Sequence, residues 1–322
     1  MRVLTAVELG MRRYSVVPVE QVRFFARTSL DEVRFRLDEI HRLELVVRET
    51  RNDEVGYYLN SVGYDVLAIN ALVEQGFVRQ FGPLIGTGKE ADVYEVLGTP
   101  TPSRDVDRDK ATGQTEVAQT TPAGEEKGEP LVQLALKFHR LGRTSFRNVR
   151  KLRGYLGSRG HMSWLYASRL AAEREFEGLK RVEPLGVPIP RPVAQNRHAV
   201  LMTRVDGIEI RHFPEFPDPR RVYDKIVNLV GRFYKESGVV HGDLGEFNVL
   251  IDREGEPFVI DWPQWVPSDH PNAEELLLRD VTNVVNFFQK RYRAKFVDED
   301  PKHITRLILS GELGGTETEK KG

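Results

Sequence analysis

Apolar residues repeat with a helical period in several parts of the chain and cluster as strands in others. In "SLDEVRFRLDEI", Val33, Leu37 and Ile40 share one face, and Ser29 stands three positions before Glu32, the spacing of a capping box. "LELVVRE" and "VGYYLN" read as two strands joined by the turn "RNDE". "SVGYDVLAINALVEQG" then puts Tyr64, Leu67, Ala68, Ala71 and Leu72 on one helical face and stops at Gly76. Helices, a two-stranded wing and a closing helix predict a winged helix-turn-helix over 1–80.

Further on, "ADVYEVL" and "LVQLALKF" are strand-like, and "LAAEREFEGLKRV" is a helix. "AVLMTRV" is a strand leading to Gly207. In "RRVYDKIVNLVGRFYKESG", Val222, Ile226, Leu229, Val230 and Phe233 form an apolar stripe that closes at Gly238. "NVLI" and "PFVIDW" form a hairpin across "DREGE", and "VTNVVNFFQKRY" is expected as the last helix, with Val281, Val284, Val285 and Phe288 in its stripe.

Composition narrows the function classes. The chain has 322 residues, enough for about two domains. It lacks cysteine, which excludes disulfides, thiolate zinc sites and thiol nucleophiles and suits an intracellular protein. No signal peptide or membrane span is read, so a cytoplasmic location is expected. The net charge of −1 makes any basic surface local. Residues 1–80 carry 11 arginines against 12 acids, which favours docking to a partner over sequence-specific DNA binding. Residues 98–130 contain no aromatic residue and read as a disordered insertion within a hairpin. From Lys137 to Ala172 there are 9 basic residues and no acid, either a solvated face or a contact for RNA.

Three pieces carry chemistry. "IGTGKEADVYEV" is a glycine turn between strands, where backbone N–H groups can approach phosphate, although a plain turn has the same look. Lys137 sits in an apolar strand and needs a carboxylate, and Glu175 is on the inward face of the next helix. Asp243, Asn248 and Asp261 have the layout of phosphoryl transfer: a residue that accepts or orients the hydroxyl proton, then two oxygen ligands for Mg²⁺. An Asx-turn and a cap explain the first two of these singly.

With "GTGKEADVY", "LALKFHRLGRTSFRNVR", "HGDLGEFNVLI", "IDWPQWV" and "HPNAEELLLRDV" on the page, the sequence resembles the Rio-type atypical serine/threonine protein kinases, in the winged-helix-bearing second branch, of archaeal type. The resemblance implies an α+β fold: a winged helix-turn-helix (1–80), then a bilobal eukaryotic-protein-kinase-like domain with an N-lobe (81–205) and a C-lobe (206–322). It implies ATP with Mg²⁺ (or Mn²⁺) as cofactors. By position, Gly86, Gly88, Lys89 and Glu90 form the phosphate loop, with Ala91 where many relatives have serine. Lys137 binds phosphates and Glu175 pairs with it. Asp243 is catalytic, Asn248 and Asp261 are metal ligands, and Met202 to Val205 line the adenine hinge. The family implies precursor small ribosomal subunits, rRNA and protein, as partners, without membrane.

Two features shape this expectation. Trp262-Pro263 follows the metal aspartate, and proline fixes φ and lacks an N–H, which predicts a stiff segment. Only 61 residues follow Asp261 (322 − 261) and no "APE"-like element occurs, so the activation loop and peptide-binding subdomains are expected to be missing. Serine in cis, a partner, and Asp261 itself followed by hydrolysis are the candidate acceptors. An aminoglycoside- or choline-type phosphotransferase and an RNA-binding assembly scaffold with little turnover remain the other readings.

Overall fold

The computed structural model describes residues 1–51, 53–101, 130–141 and 164–314. The expectations for the insertion at 98–130 and for most of the basic stretch at 137–172 therefore lie outside the described residues. The chain divides into two compact units, one of 1–132, 140–167 and 196–199, the other of 133–139, 168–195 and 200–322.

The first unit opens with α1 (Arg2–Gly10), β1 (Val17–Pro18), α2 (Val19–Ala26) and α3 (Leu30–Arg42). The wing strands β2 (Val46–Arg51) and β3 (Glu54–Leu59) and then α4 (Ser61–Glu74) follow. The strands pair antiparallel in the order β1-β3-β2, giving the winged helix. Val7, Val17, Val22, Val33, Leu37, Tyr57 and Leu67 are buried together in its core. Ser29 caps α3 as expected, its hydroxyl accepting from Glu32 N at 3.3 Å. The Glu32 carboxylate, however, accepts from Arg36 at 2.8 Å. The helix also runs on to Arg42, and Glu44 turns the chain at φ 56°, so the first wing strand starts at Val46 and not at Leu43.

β4 (Val78–Thr87) and β5 (Ala91–Gly98) form the hairpin around the glycine turn. Their register slips between Phe81↔Val96 and Leu84↔Tyr94, at Pro83, which has no N–H to give to the ladder.

In the second unit β6 (Val132–His139), β8 (Ala199–Thr203) and β7 (Pro192–Asn196) lie side by side in that order. The helix α5 (Trp164–Val182) begins in the first unit and continues in the second. β9 (Gly207–Glu209), β11 (Val249–Asp252) and β12 (Pro257–Val259) make a second small sheet, and β10 (Val239–Val240) pairs with β13 (Val266–Pro267). α6 (Pro219–Glu236) is capped by Asp218, which accepts from Arg220 N and Arg221 N at 3.1 and 3.2 Å. Its predicted stripe of Val222, Ile226, Leu229, Val230 and Phe233 is buried, and Gly238 ends the run at φ 63°.

α7 (Ala273–Phe296) buries Val281, Val284, Val285 and Phe288 as expected, but it is not the last helix. α8 (Pro301–Ser310) follows, with Asp300 accepting from Lys302 N at 3.0 Å and Gly311 at φ 81°.

Candidate active site

Alternation along β6 puts Lys137 and His139 on the same side of the strand, two residues apart. Both meet Glu175, which the helical period of α5 turns inward. Lys137 Nζ donates to Glu175 Oε1 at 2.7 Å, and His139 Nε2 lies 2.6 Å from Glu175 Oε2. Lys137 also donates to Asp261 Oδ1 at 2.5 Å. Lys137 is 8% exposed and Glu175 1%, whereas the Asp261 side chain is 39% exposed. Three residues separated by up to 124 positions thus converge; the Lys137–Glu175 pairing is the one read from the sequence, and the contact of Lys137 with Asp261 is added by the structure. A lysine that merely reaches for solvent does not fit this burial.

The electrostatics follow from the pairing. Burial alone discourages the charge on Lys137, and Asp261 with Glu175 more than reverses this, raising its pKa. Burial likewise pushes Glu175 up, and the Lys137 ammonium with the His139 hydrogen bond brings it well below the ordinary range. The pair is therefore ionised, and Glu175 has both oxygens committed. Oε1 also accepts the Trp262 N–H at 3.4 Å, so the same carboxylate touches the segment that carries Asp261.

Asp261 stands at φ 67°, a left-handed conformation that is uncommon outside glycine. What holds it there is its successor. Trp262 is fully buried, its ring N–H donates to Val259 O at 3.2 Å, and it packs edge-on against Phe233 and His241 at 5.0 and 4.6 Å.

The loop before β11 carries Asp243, which is exposed between buried neighbours Gly242 and Leu244. Its backbone is fixed from several sides. Asp243 N donates to His241 Nδ1 at 3.3 Å, and the Asn248 amide donates to Asp243 O at 2.8 Å. Gly242 turns the loop at φ 79°, with Gln264 O only 2.6 Å from where a Cβ would stand. From α7, Asp280 accepts from Gly242 N at 2.7 Å and Leu244 N at 2.9 Å. Arg279 donates to Gly242 O, and Asn283 to Leu244 O at 2.8 Å. Asp280, Asn283, Arg279 and His139 were not singled out in the sequence. The available signal for Asp280 was a carboxylate set among Leu277, Val281 and Val284 on an apolar helical face.

Of the other sequence-predicted residues, Asn248 is buried at 8% exposure. Its amide nitrogen is committed to Asp243 O, which leaves its oxygen available. Met202 is buried in β8 and Val205 half-buried just after it. Gly86 and Thr87 end β4, and Gly88, Lys89 and Glu90 form the turn, all in the first unit. Within the basic stretch, Lys137 and Arg140 are buried and Arg169 pairs with Glu173 at 2.8 Å. Lys137 and Arg140 are internal, so the reading of a solvated basic face does not hold for these two, whereas Arg169 is partly exposed and fits it.

His241 predicts acid sensitivity. Its Nε2–H donates to Ile260 O at 3.1 Å, and burial pushes its pKa from 6.5 down to about 4. Below pH 6.5 the unfolded chain takes up this proton and the folded chain resists until about 4. Stability present above that window is lost across it, by roughly 3 kcal/mol. Urea unfolding of wild type and His241→Gln at both ends of the window checks this. The variant is expected to lose less on acidification, and equal losses would remove His241 as the cause.

The RIO domain family model matches residues 117–301, and the Rio2 N-terminal family model matches 1–75. The chain is 39% identical over 294 residues to the RIO-type serine/threonine-protein kinase Rio2 of Methanocaldococcus jannaschii, covering 90% of this chain and 95% of that one. It is 35% identical to the serine/threonine-protein kinase rio2 of Schizosaccharomyces pombe, covering 91% and 76%. Among solved structures, the Rio2 kinase–ADP/Mg²⁺–phosphoaspartate complex from Chaetomium thermophilum superposes with a TM-score of 0.75 at 34% identity, covering 98% of this chain and 86% of that one.

Proposed function

The chain belongs to the RIO family of serine/threonine-protein kinases, in its Rio2 branch, and on that premise we propose that it passes the γ-phosphoryl group of ATP to a serine or threonine hydroxyl or to Asp261, as a cytoplasmic switch in small ribosomal subunit maturation. The family supplies the enzyme class and the two-lobed kinase-like fold. The observation that carries the reading is the convergence of Lys137, Glu175 and Asp261, with His139 securing the far oxygen of Glu175.

In this reading Lys137, held ionised by Glu175, bears on the phosphates, and Gly86, Gly88, Lys89 and Glu90 are the phosphate-loop residues. Met202 to Val205 take the adenine. Asp243 orients the acceptor hydroxyl and takes its proton as the new P–O bond forms and the bond to ADP breaks.

The donor chemistry fits a divalent cation. Among the described residues no three His, Asp or Glu side chains form a ready metal cage. Two oxygen donors, Asn248 and Asp261, are what Mg²⁺ uses when phosphates and water complete its octahedron. These two residues would hold it, and when bound it neutralises phosphate charge (Mn²⁺ serves the same donors).

Asp261 as acceptor rests on its exposure. It is the carboxylate of the buried cluster that solvent reaches, at 39% against 1% for Glu175. Attack by its oxygen on the γ-phosphorus releases ADP and leaves an acyl phosphate. Water attack on that phosphorus then returns the carboxylate and frees phosphate. The relative trapped with ADP and phosphoaspartate supports this route.

Precursor small subunits, through rRNA and ribosomal proteins, are the proposed partners. The acid-free run to Ala172 supports them, and the balanced charge of residues 1–80 speaks against sequence-specific DNA. Among the described residues no helix is long and apolar enough to cross a membrane.

The test is incubation with γ-labelled ATP, with and without small ribosomal subunits. Label on the wild-type chain is expected to include a hydroxylamine-labile fraction that Asp261→Ala lacks, and subunits are expected to change its turnover. Labile label undiminished in Asp261→Ala would defeat that acceptor. Turnover stimulated by an aminoglycoside and not by subunits would favour a small-molecule phosphotransferase.

A further inference from the structure

Pieces of the first unit that are far apart in sequence meet at one buried guanidinium. Arg140, the residue after β6, is 9% exposed. Its terminal nitrogens donate to the two oxygens of Asp65, on α4, at 2.5 and 2.8 Å. Its Nε donates to Asp92, in β5, at 3.1 Å. His198, between β7 and β8, lies 2.7 Å from Asp65 Oδ1 and stacks on Tyr64 at 4.6 Å. Removing one carboxylate from a desolvated cation of this kind leaves charge uncompensated, so the remaining partners must shift.

Arg140 also holds the glycine turn. Its backbone N–H donates to Glu90 O at 2.6 Å. The other oxygen of Asp92 accepts from Thr87 Oγ1 at 2.9 Å, and Gly88 N donates to Ala91 O at 2.8 Å. The turn is thus closed at its base by Thr87 and Asp92, and Asp92 is fixed by the guanidinium that Asp65 neutralises. Asp65 lies within the Rio2 N-terminal family match, residues 1–75.

We propose that Arg140 is a positioning residue for the phosphate loop and that Asp65 of the winged helix is its counter-charge, so that nucleotide affinity depends on the winged helix through Asp65, Arg140 and Asp92. This rests on the reading that the turn at Gly86 to Glu90 contacts the phosphates. The winged helix is then a working part of nucleotide binding as well as a docking module. A partner that shifts α4 alters ATP affinity by the same route.

A second clasp provides the control. Arg197 donates to both oxygens of Glu8 at 2.8 and 2.6 Å and to Leu67 O at 3.2 Å. It fastens the same winged helix through α1 and α4, by bonds that do not include the turn.

The experiment compares full-length wild type, Asp65→Asn and Glu8→Gln, measuring Tm, KM for ATP and kcat well below every Tm. Both variants are expected to melt earlier. Only Asp65→Asn is expected to raise KM for ATP, by about tenfold, with kcat within about twofold of wild type. An unchanged KM in Asp65→Asn overturns the proposal. So does an equal rise in Glu8→Gln, since general loosening of the winged helix then explains both. If Asp65→Asn does not fold, amide exchange of the wild type decides. Residues 61–68 are expected to gain protection when a non-hydrolysable ATP analogue binds, and no change there overturns the coupling. A wild type that shows no saturable ATP binding fails at the earlier step, the nucleotide reading, and takes the coupling with it.

Discussion

Asp243→Asn is expected to lower ATP-dependent phosphoryl transfer by roughly 10³-fold while leaving the fold and ATP affinity near wild type. The structure explains why the two effects separate. Asp243 is held through its backbone, by His241, Asn248 and the neighbours that Asp280 binds. Its side chain is exposed. Neutralising that carboxylate removes a proton acceptor without stranding a buried charge. The loss should therefore fall on kcat with KM for ATP almost unchanged, the signature of an interaction used in the transition state. Steady-state kinetics and a melting curve on the same preparation check it. Activity within about twofold of wild type would take Asp243 out of the catalytic role, since a general base contributes far more.

Asp261→Asn differs in kind. That change removes a partner of buried Lys137, 2.5 Å away, so binding and stability should move together with rate. Comparing the two variants separates a proton acceptor from a carboxylate that also neutralises a buried lysine, a distinction that spacing along the chain does not make.

The sequence spoke most clearly where burial and chemistry coincide. Lys137 in an apolar strand and Glu175 on the inward face of a helix were legible because an unpaired buried charge is costly, so each required the other. The hairpin that carries Asn248 and Asp261 was legible from two short apolar runs and a turn. The wing was placed three residues early, because Glu44 takes a positive φ that nothing in "LELVVRE" announces. α8 was overlooked although Asp300-Pro301 and Gly311 are ordinary start and stop signals.

Arg140 shows a different limit. It was read as one of several cations in an acid-free stretch, and local charge does suggest a surface. Its acids come from positions 65 and 92, so only the tertiary structure reveals that it is internal. Asp280 escaped for a related reason. Its partners are backbone N–H groups 36 and 38 residues earlier, and every residue but proline has one, so no side-chain pattern marks them.

Asp280→Asn is the second large effect. Burial pushes this carboxylate up to about 7, and the N–H groups of Gly242 and Leu244 pull against that shift, one on each oxygen. Asparagine keeps the shape but replaces one oxygen with an NH₂ group, which then faces an N–H donor. One bond is lost and a buried donor is left unsatisfied, at about 1–3 kcal/mol. The loop that carries Asp243 cannot keep its position against that opposition. A displacement near 1 Å costs about 10² in rate, so kcat should fall by that order although Asp280 touches no reacting atom. The comparison that separates positioning from plain destabilisation is Leu277→Ala, a buried residue on the same helix with an expected cost of about 2–5 kcal/mol. Leu277→Ala should melt earlier and keep its kcat at a temperature where it is folded, while Asp280→Asn should lose both. If the two variants lose rate in proportion to their Tm, the bond from Asp280 to the loop is only one more contribution to stability.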